Sequence, residues 1–201
     1  MDLGVNEAEY RAQRLANLAK LKELGYPPFG GAFERSGRIA DLKAAFVEGQ
    51  RVRMAGRMLA RREMGKSVFA DLRDGTDRFQ LYLKKDEVGE GPFDAFKYLD
   101  FGDHIGVEGE LFTTRAGEKS VKVSSWVLLS KALRSPPEKW HGLQDVELRF
   151  RRRYLDLIAN PEVREVFNKR IAMVWAIREF LVSRGFVETE TPMMQPMAGG
   201  A

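Results

Sequence analysis

Hydrophobic positions along the chain change their period several times, and each change marks an element. Near the N-terminus Leu15, Leu18, Leu21 and Leu24 recur on one stripe, the spacing of an amphipathic helix. Asn6 followed by Glu9 reads as its capping pair, and Gly25 with Pro27-Pro28 stops it. From Arg51 the period falls to two. Val52, Met54 and Met58 alternate with Arg51, Arg53 and Arg57, as a half-buried strand requires, and a polar basic loop follows over 61–66. Val68, Ala70 and Leu72 then share one face, Asp74-Gly75 makes a turn, and Phe79, Leu81 and Leu83 share the next, so a hairpin is expected.

Phe93, Phe96 and Leu99 are spaced by three, which predicts a short helix over 92–99 that buries its aromatics. Two more strands are expected at about 103–113 and 120–129, joined by a turn containing Gly117. The resulting order, β-β-β-α-β-β, is that of the five-stranded oligonucleotide-binding (OB) barrel.

Residues 133–153 break this rhythm with Pro136-Pro137, Trp140 and the basic run 149–153, as a linker would. Trp140 and His141 are expected to pack within it, and His104 to lie in a strand. The basic run either meets RNA or pairs with local acids. Asn160 reads as a helix cap with Pro161 at the first helical position. Val163, Val166, Phe167, Ile171, Val174, Ile177 and Leu181 then hold an apolar face as far as Gly185. Residues 186–191 alternate like a strand and lead through Pro192 to Gly199-Gly200-Ala201. A long apolar helix face and one strand cannot bury each other, so this second unit is expected to be part of something larger.

The fold expected is therefore mainly β plus α. It has an N-terminal helical extension (1–50), an OB barrel (51–133), a linker (134–160) and the opening helix and strand of a further domain (161–201).

Composition adds three things. With no cysteine, and with His104 and His141 far apart, neither a disulfide nor a protein-built metal site is expected. No apolar run is long enough to span a bilayer, and no basic-then-apolar leader opens the chain, so the cytoplasm is the default and no membrane partner is expected. The net charge is only +4. Between Arg51 and Lys85, however, ten Lys or Arg stand against four acids, a local +6 that exceeds the charge of the whole chain. The outer face of the N-terminal helix adds Arg11, Arg14, Lys20 and Lys22, either solvated or touching a nucleic-acid backbone.

Alternation also locates candidate chemistry. With Val68, Ala70 and Leu72 inward, Phe69 points outward beside Asp71 and Arg73; with Phe79, Leu81 and Leu83 inward, Arg78, Gln80, Tyr82 and Lys84 point outward. Phe69, Gln80 and Tyr82 thus share one basic face. An aromatic to stack on a base, an amide to bond its edge and arginines for phosphates are what single-stranded RNA readout needs. The bland alternative is that Phe69 packs under a neighbouring segment and the arginines only solubilise.

Arg62, Phe69 and Gln80, in the stretch RREMGKSVFADLRDGTDRFQLYL, resemble the anticodon-reading set of class IIb aminoacyl-tRNA synthetases for lysine, aspartate and asparagine. The resemblance implies that Phe69 stacks on the central anticodon uridine while Gln80 and Arg62 bond it or its backbone. It also implies that Glu118, in AGEKS, sits near a flanking base. The stretch KALRSPPEKWHGLQDVELRFRRRYLDLIANPEVR resembles the lysine family's connection to its catalytic domain, which favours lysine over aspartate or asparagine. The segment from Asn168 through RGFVETETPMMQPMAGGA resembles class II motif 1, a homodimer interface with Pro192 as its marker, and the resemblance implies that Gly199, Gly200 and Ala201 begin the lysine pocket.

No catalytic residue is expected in this portion. ATP and Mg2+ would serve the full enzyme through motifs 2 and 3, which are not found in these residues, and neither is expected to bind here. The implied partners are the tRNA(Lys) anticodon loop and, for the full enzyme, lysine and ATP. The alternatives are a stand-alone, non-catalytic OB module for tRNA or single-stranded RNA, or part of an aspartyl or asparaginyl enzyme.

Overall fold

The computed structural model describes residues 3–134 and 143–193. The chain divides into two compact units, Met1–Pro136 and Pro137–Ala201. In the first, helices α1 (Leu3–Glu23) and α2 (Ile39–Ala44) precede strands β1 (Arg51–Met64), β2 (Ser67–Arg73) and β3 (Arg78–Lys84). Helices α3 (Lys85–Val88) and α4 (Glu90–Phe96) then lead to β4 (His104–Thr113) and β5 (Lys119–Ser130). The β-β-β-α-β-β order is as expected, although the helical segment starts earlier, at Lys85, and its last buried aliphatic, Leu99, lies beyond the helix end.

The strands close in the order β1-β2-β3-β5-β4, and β3 with β5 is the parallel pair. Alternation fills the barrel: Val52, Met54 and Met58 from β1, Val68, Ala70 and Leu72 from β2, and Phe79, Leu81 and Leu83 from β3 are all buried. Phe93 and Phe96 of α4 join the same core, with Phe96 edge-on to Trp126 of β5 at 5.4 Å. Gly109 lets β4 and β5 approach closely, because a Cβ there would sit 2.2 Å from the Lys122 carbonyl oxygen.

Residues 61–64, expected as part of a loop, are strand. β1 runs on past the core and pairs with β2 to Met64↔Ser67, where Gly65, at φ 62°, turns the chain. Arg61 does not stand free either, since its guanidinium donates to the carbonyls of Phe96, Lys97 and Leu99 at the C-terminal end of α4 and just beyond it. His104 opens β4 opposite Arg57; burial, and then the charge of Arg57, hold its imidazole below the usual histidine range.

Helix α1 begins at Leu3, so Asn6 lies within it rather than at the residue before its first turn. Of the leucine stripe, Leu21 is wholly buried whereas Leu15 and Leu24 are exposed. Arg14, expected to be either solvated or on a nucleic-acid backbone, is instead buried and donates to the carbonyls of Phe101 and Ala132. Beneath it Asn17 donates to Asp100, and the buried Lys131 ammonium bridges Asp100 and Asp103. The helix is therefore tied down by a polar anchor as well as by its leucines. Beyond it, Tyr26 stacks on Trp126 with ring centroids 4.5 Å apart.

The Asp74-Gly75 turn also serves α2. Asp74 accepts from the Ile39 amide at 2.9 Å, capping a helix whose own N-cap residue, Arg38, makes no side-chain bond. It also accepts from the amides of Thr76 and Asp77. Partial burial pushes its carboxyl up, but these hydrogen bonds outweigh that and hold it below the usual carboxylate range. A depressed pKa contributes stability above the unfolded-state value and loses it as pH falls through the folded one. Asp74→Ala is expected to lower stability by about 1 kcal/mol near neutral pH, as loss of a cap does. In thermal melts against pH, the gap between wild type and variant should narrow as the pH falls below about 4. A gap that does not narrow as the pH falls through the acid range would contradict this role.

In the second unit, two short helices occupy much of the expected linker, α5 (Val146–Arg151) and α6 (Arg153–Ala159), before the long α7 (Pro161–Val182). Asp145 caps α5 by accepting from the Leu148 amide. The basic run pairs with local acids: Arg151 with Glu147, and Arg149 and Arg153 with the buried Asp156. Burial raises the Asp156 carboxyl, yet the bonds from Asn160 and Arg149 and the nearby arginine charges more than offset this and leave it low. Asn160 precedes α7 as expected but does not cap it; its side chain turns back to Asp156 and to the Leu143 backbone.

Residues 186–191, expected as a strand, form none, because an alternating segment becomes a strand only with a partner to share its ladder. Val166, Ile171, Val174, Ile177 and Leu181 of α7 are exposed. Among the described residues no helix is long and apolar enough to cross a membrane. Trp140, His141, Gly199, Gly200 and Ala201 lie outside the described residues.

Candidate nucleic-acid interface

On the outer face of β1, β2 and β3, antiparallel pairing sets Arg62 beside Phe69 and Phe69 beside Tyr82. The Phe69 and Tyr82 rings lie 4.9 Å apart at 39°, and Tyr82 lies 5.7 Å from Phe112 of β4. Three aromatic rings therefore step across one side of the barrel, each half-buried. Two residues along β3, Gln80 accepts at Oε1 from the Ser120 hydroxyl at 2.8 Å. The Tyr82 and Ser67 hydroxyls lie 3.1 Å apart, which fixes the phenol ring in place.

These side chains line a cavity of about 600 Å³, closed at its far side by the β4–β5 turn with Thr114, Arg115, Ala116 and Glu118. Thr114 and Glu118 brace that turn through reciprocal bonds, the Thr114 amide to the Glu118 carbonyl and the Glu118 amide to the Thr114 hydroxyl. All five residues singled out on the sequence, Arg62, Phe69, Gln80, Tyr82 and Glu118, line this one cavity. Met64, Phe112, Thr114, Arg115 and Ala116 join them and were missed. Phe112 was readable: with Ile105, Val107 and Leu111 buried, the next residue on β4 must face out. Arg115 was not, because a turn has no period to betray where its side chains go. Pro192, the expected interface marker, is exposed in the second unit.

The basic segment is less positive toward solvent than its composition suggests. Arg51 pairs with Glu110, Arg53 with Glu34 and Glu108, Arg78 with the buried Asp71, Lys84 with Asp86 and Lys85 with Glu90. Arg57 donates to the Gly102 carbonyl, and Arg61 is spent on α4. Arg62, Lys66 and Arg115 form no hydrogen bond or ion pair through their side chains with any described residue, and two of these three, Arg62 and Arg115, line the cavity. Of the segment's own cations Arg62 is thus left to the cavity, where Arg115 of the β4–β5 turn joins it. Such a face can stack bases, bond their edges through Gln80 and Glu118, and hold phosphates with Arg62 and Arg115.

Residues 52–129 match the family described as OB-fold nucleic acid binding domain, and residues 145–201 match that described as tRNA synthetases class II (D, K and N). An OB barrel followed by the opening of a class II synthetase domain is the class these matches define. The chain is 52% identical over 197 residues to a lysine–tRNA ligase of Moorella thermoacetica, covering 97% of this chain and 40% of that protein. It is 49% identical over 199 residues to one of Syntrophomonas wolfei, and 47% identical over 208 residues to one of Clostridium perfringens. The chain belongs to the lysine–tRNA ligase family of class II aminoacyl-tRNA synthetases. It spans about 40% of the length of the curated relatives it matches.

Proposed function

We propose that this chain reads the anticodon loop of tRNA(Lys) for a lysine–tRNA ligase that activates lysine and transfers it to tRNA. The reading rests on one observation above all: the half-buried Phe69 and Tyr82, the anchored amide of Gln80 and the unpaired Arg62 line a single cavity of about 600 Å³ on an OB barrel. In it, Phe69 stacks on the central anticodon base, Gln80 bonds that base's edge, Arg62 holds its phosphate or edge, and Glu118 meets a flanking base.

ATP and Mg2+ supply the activation of the lysine carboxylate in the full enzyme. Among the described residues no group of three His, Cys, Asp or Glu is placed to hold a metal ion. Gly199, Gly200 and Ala201 would border the lysine site. The exposed apolar face of α7 and the segment at Pro192 would form a homodimer interface, and the enzyme would work in the cytoplasm.

Binding of the chain to a stem-loop with a UUU anticodon, titrated at several salt concentrations, tests the RNA reading. With Arg62, Lys66 and Arg115 on phosphates, the log–log slope should be about −2, taking roughly 0.7 per phosphate for single strands. Affinity should then fall on the order of tenfold between 50 and 200 mM salt. Affinity that does not change with salt would sink the proposal.

A further inference from the structure

Gln80 is an ambiguous reader. Its amide carries a donor at one end and an acceptor at the other, and a half-turn of the terminal group exchanges them. Left to rotate, it would bond a base carbonyl or a base N–H equally well. Something must fix which end faces the cavity.

The parallel pairing of β3 with β5 puts Ser120 directly beside Gln80. Ser120 is wholly buried, and its hydroxyl lies 2.8 Å from Gln80 Oε1. The other acceptor in reach, the Glu118 carbonyl oxygen, is 3.3 Å away. A hydroxyl has one proton to donate, and the shorter contact takes it. With Oε1 held from behind, the Nε2 donors face the cavity lined by Phe69 and Tyr82.

We propose that Ser120 is a positioning residue for specificity: it locks the Gln80 amide with its donors outward, so that the pocket accepts a base offering a carbonyl oxygen at that edge and rejects one offering an amino group there. This rests on the anticodon-reading function proposed above. Uracil presents two carbonyls and one N–H, whereas cytosine replaces the O4 carbonyl with an amino group. A locked donor separates the two; a freely rotating amide would not. Ser120 itself touches no base, so its effect is on discrimination rather than on stacking.

The test uses the whole chain and two stem-loops that differ only at the centre of the anticodon, UUU and UCU. Wild type should prefer UUU. Ser120→Ala should reduce that preference by about fivefold, the worth of one neutral hydrogen bond, while affinity for UUU itself falls less. Thermal melting of the variant reports whether the barrel is still folded. Gln80→Glu, on the open face, provides the second arm. It keeps the acceptor toward Ser120 but presents only acceptors to the base, so the preference for UUU should vanish or invert. An unchanged preference in folded Ser120→Ala, or a retained UUU preference in Gln80→Glu, overturns the proposal. Wild type that fails to separate the two loops overturns the anticodon reading as well.

Discussion

Asp103→Ala is expected to destabilise the first unit by about 3–5 kcal/mol, the cost of removing one partner from a buried ion pair. The Asp103 side chain is fully buried and accepts three bonds: from Lys131 Nζ at 2.7 Å, from the Asp100 amide at 2.8 Å and from the Ala132 amide at 2.7 Å. Removing it leaves two backbone N–H groups without that acceptor and leaves the equally buried Lys131 with Asp100 alone. Because the same junction receives Arg14 and Asn17 from α1, the helix should loosen with it. Urea unfolding of the variant measures the loss. A loss below 1 kcal/mol for Asp103→Ala would show that the anchor does not hold α1 to the barrel.

That anchor also marks where sequence reading stops. Lys131 and Asp103 look like two ordinary charges near strand ends, and Arg14 like one more cation on a solvated helix face. Their burial depends on carbonyls and carboxylates that lie dozens of residues away in sequence, at Phe101, Ala132 and Asp100. No local period encodes that. The same holds for the end of β1: residues 61–64 have no buried face because the strand has left the core, so their pattern resembles a loop even though pairing with β2 continues. It holds again for residues 186–191, where period two is present but a partner strand is not.

What period two does encode is the inside and outside of a barrel strand, and on β2 and β3 that was enough. Phe69, Gln80 and Tyr82 fall out of phase with the core residues on either side of them, and closure of the barrel brings them together with Arg62. The cavity's remaining wall, the β4–β5 turn, could be given a residue, Glu118, only through family resemblance. Its geometry, and the Ser120 contact behind Gln80, needed the β3–β5 register, which is parallel and joins strands far apart in the chain.

Phe69→Ala is the change expected to weaken RNA binding most. Stacking of a base on an aromatic side chain is worth about 1–3 kcal/mol, so affinity for a UUU stem-loop should fall between roughly fivefold and a hundredfold. Folding should be little affected, because Phe69 is only half-buried and its main ring contact, Tyr82, remains held by Ser67. Discrimination at the central base should fall too: a base that is no longer stacked is not held within reach of Gln80. Phe69→Trp, which keeps a flat face, should retain more affinity than Phe69→Ala, whereas Phe69→Leu, similar in apolarity but not planar, should not. Fluorescence anisotropy of labelled stem-loops at one fixed salt concentration separates these cases. If Phe69→Leu binds as well as wild type, the ring only fills space, and base stacking in this cavity would have to be assigned to Tyr82 or Phe112 instead.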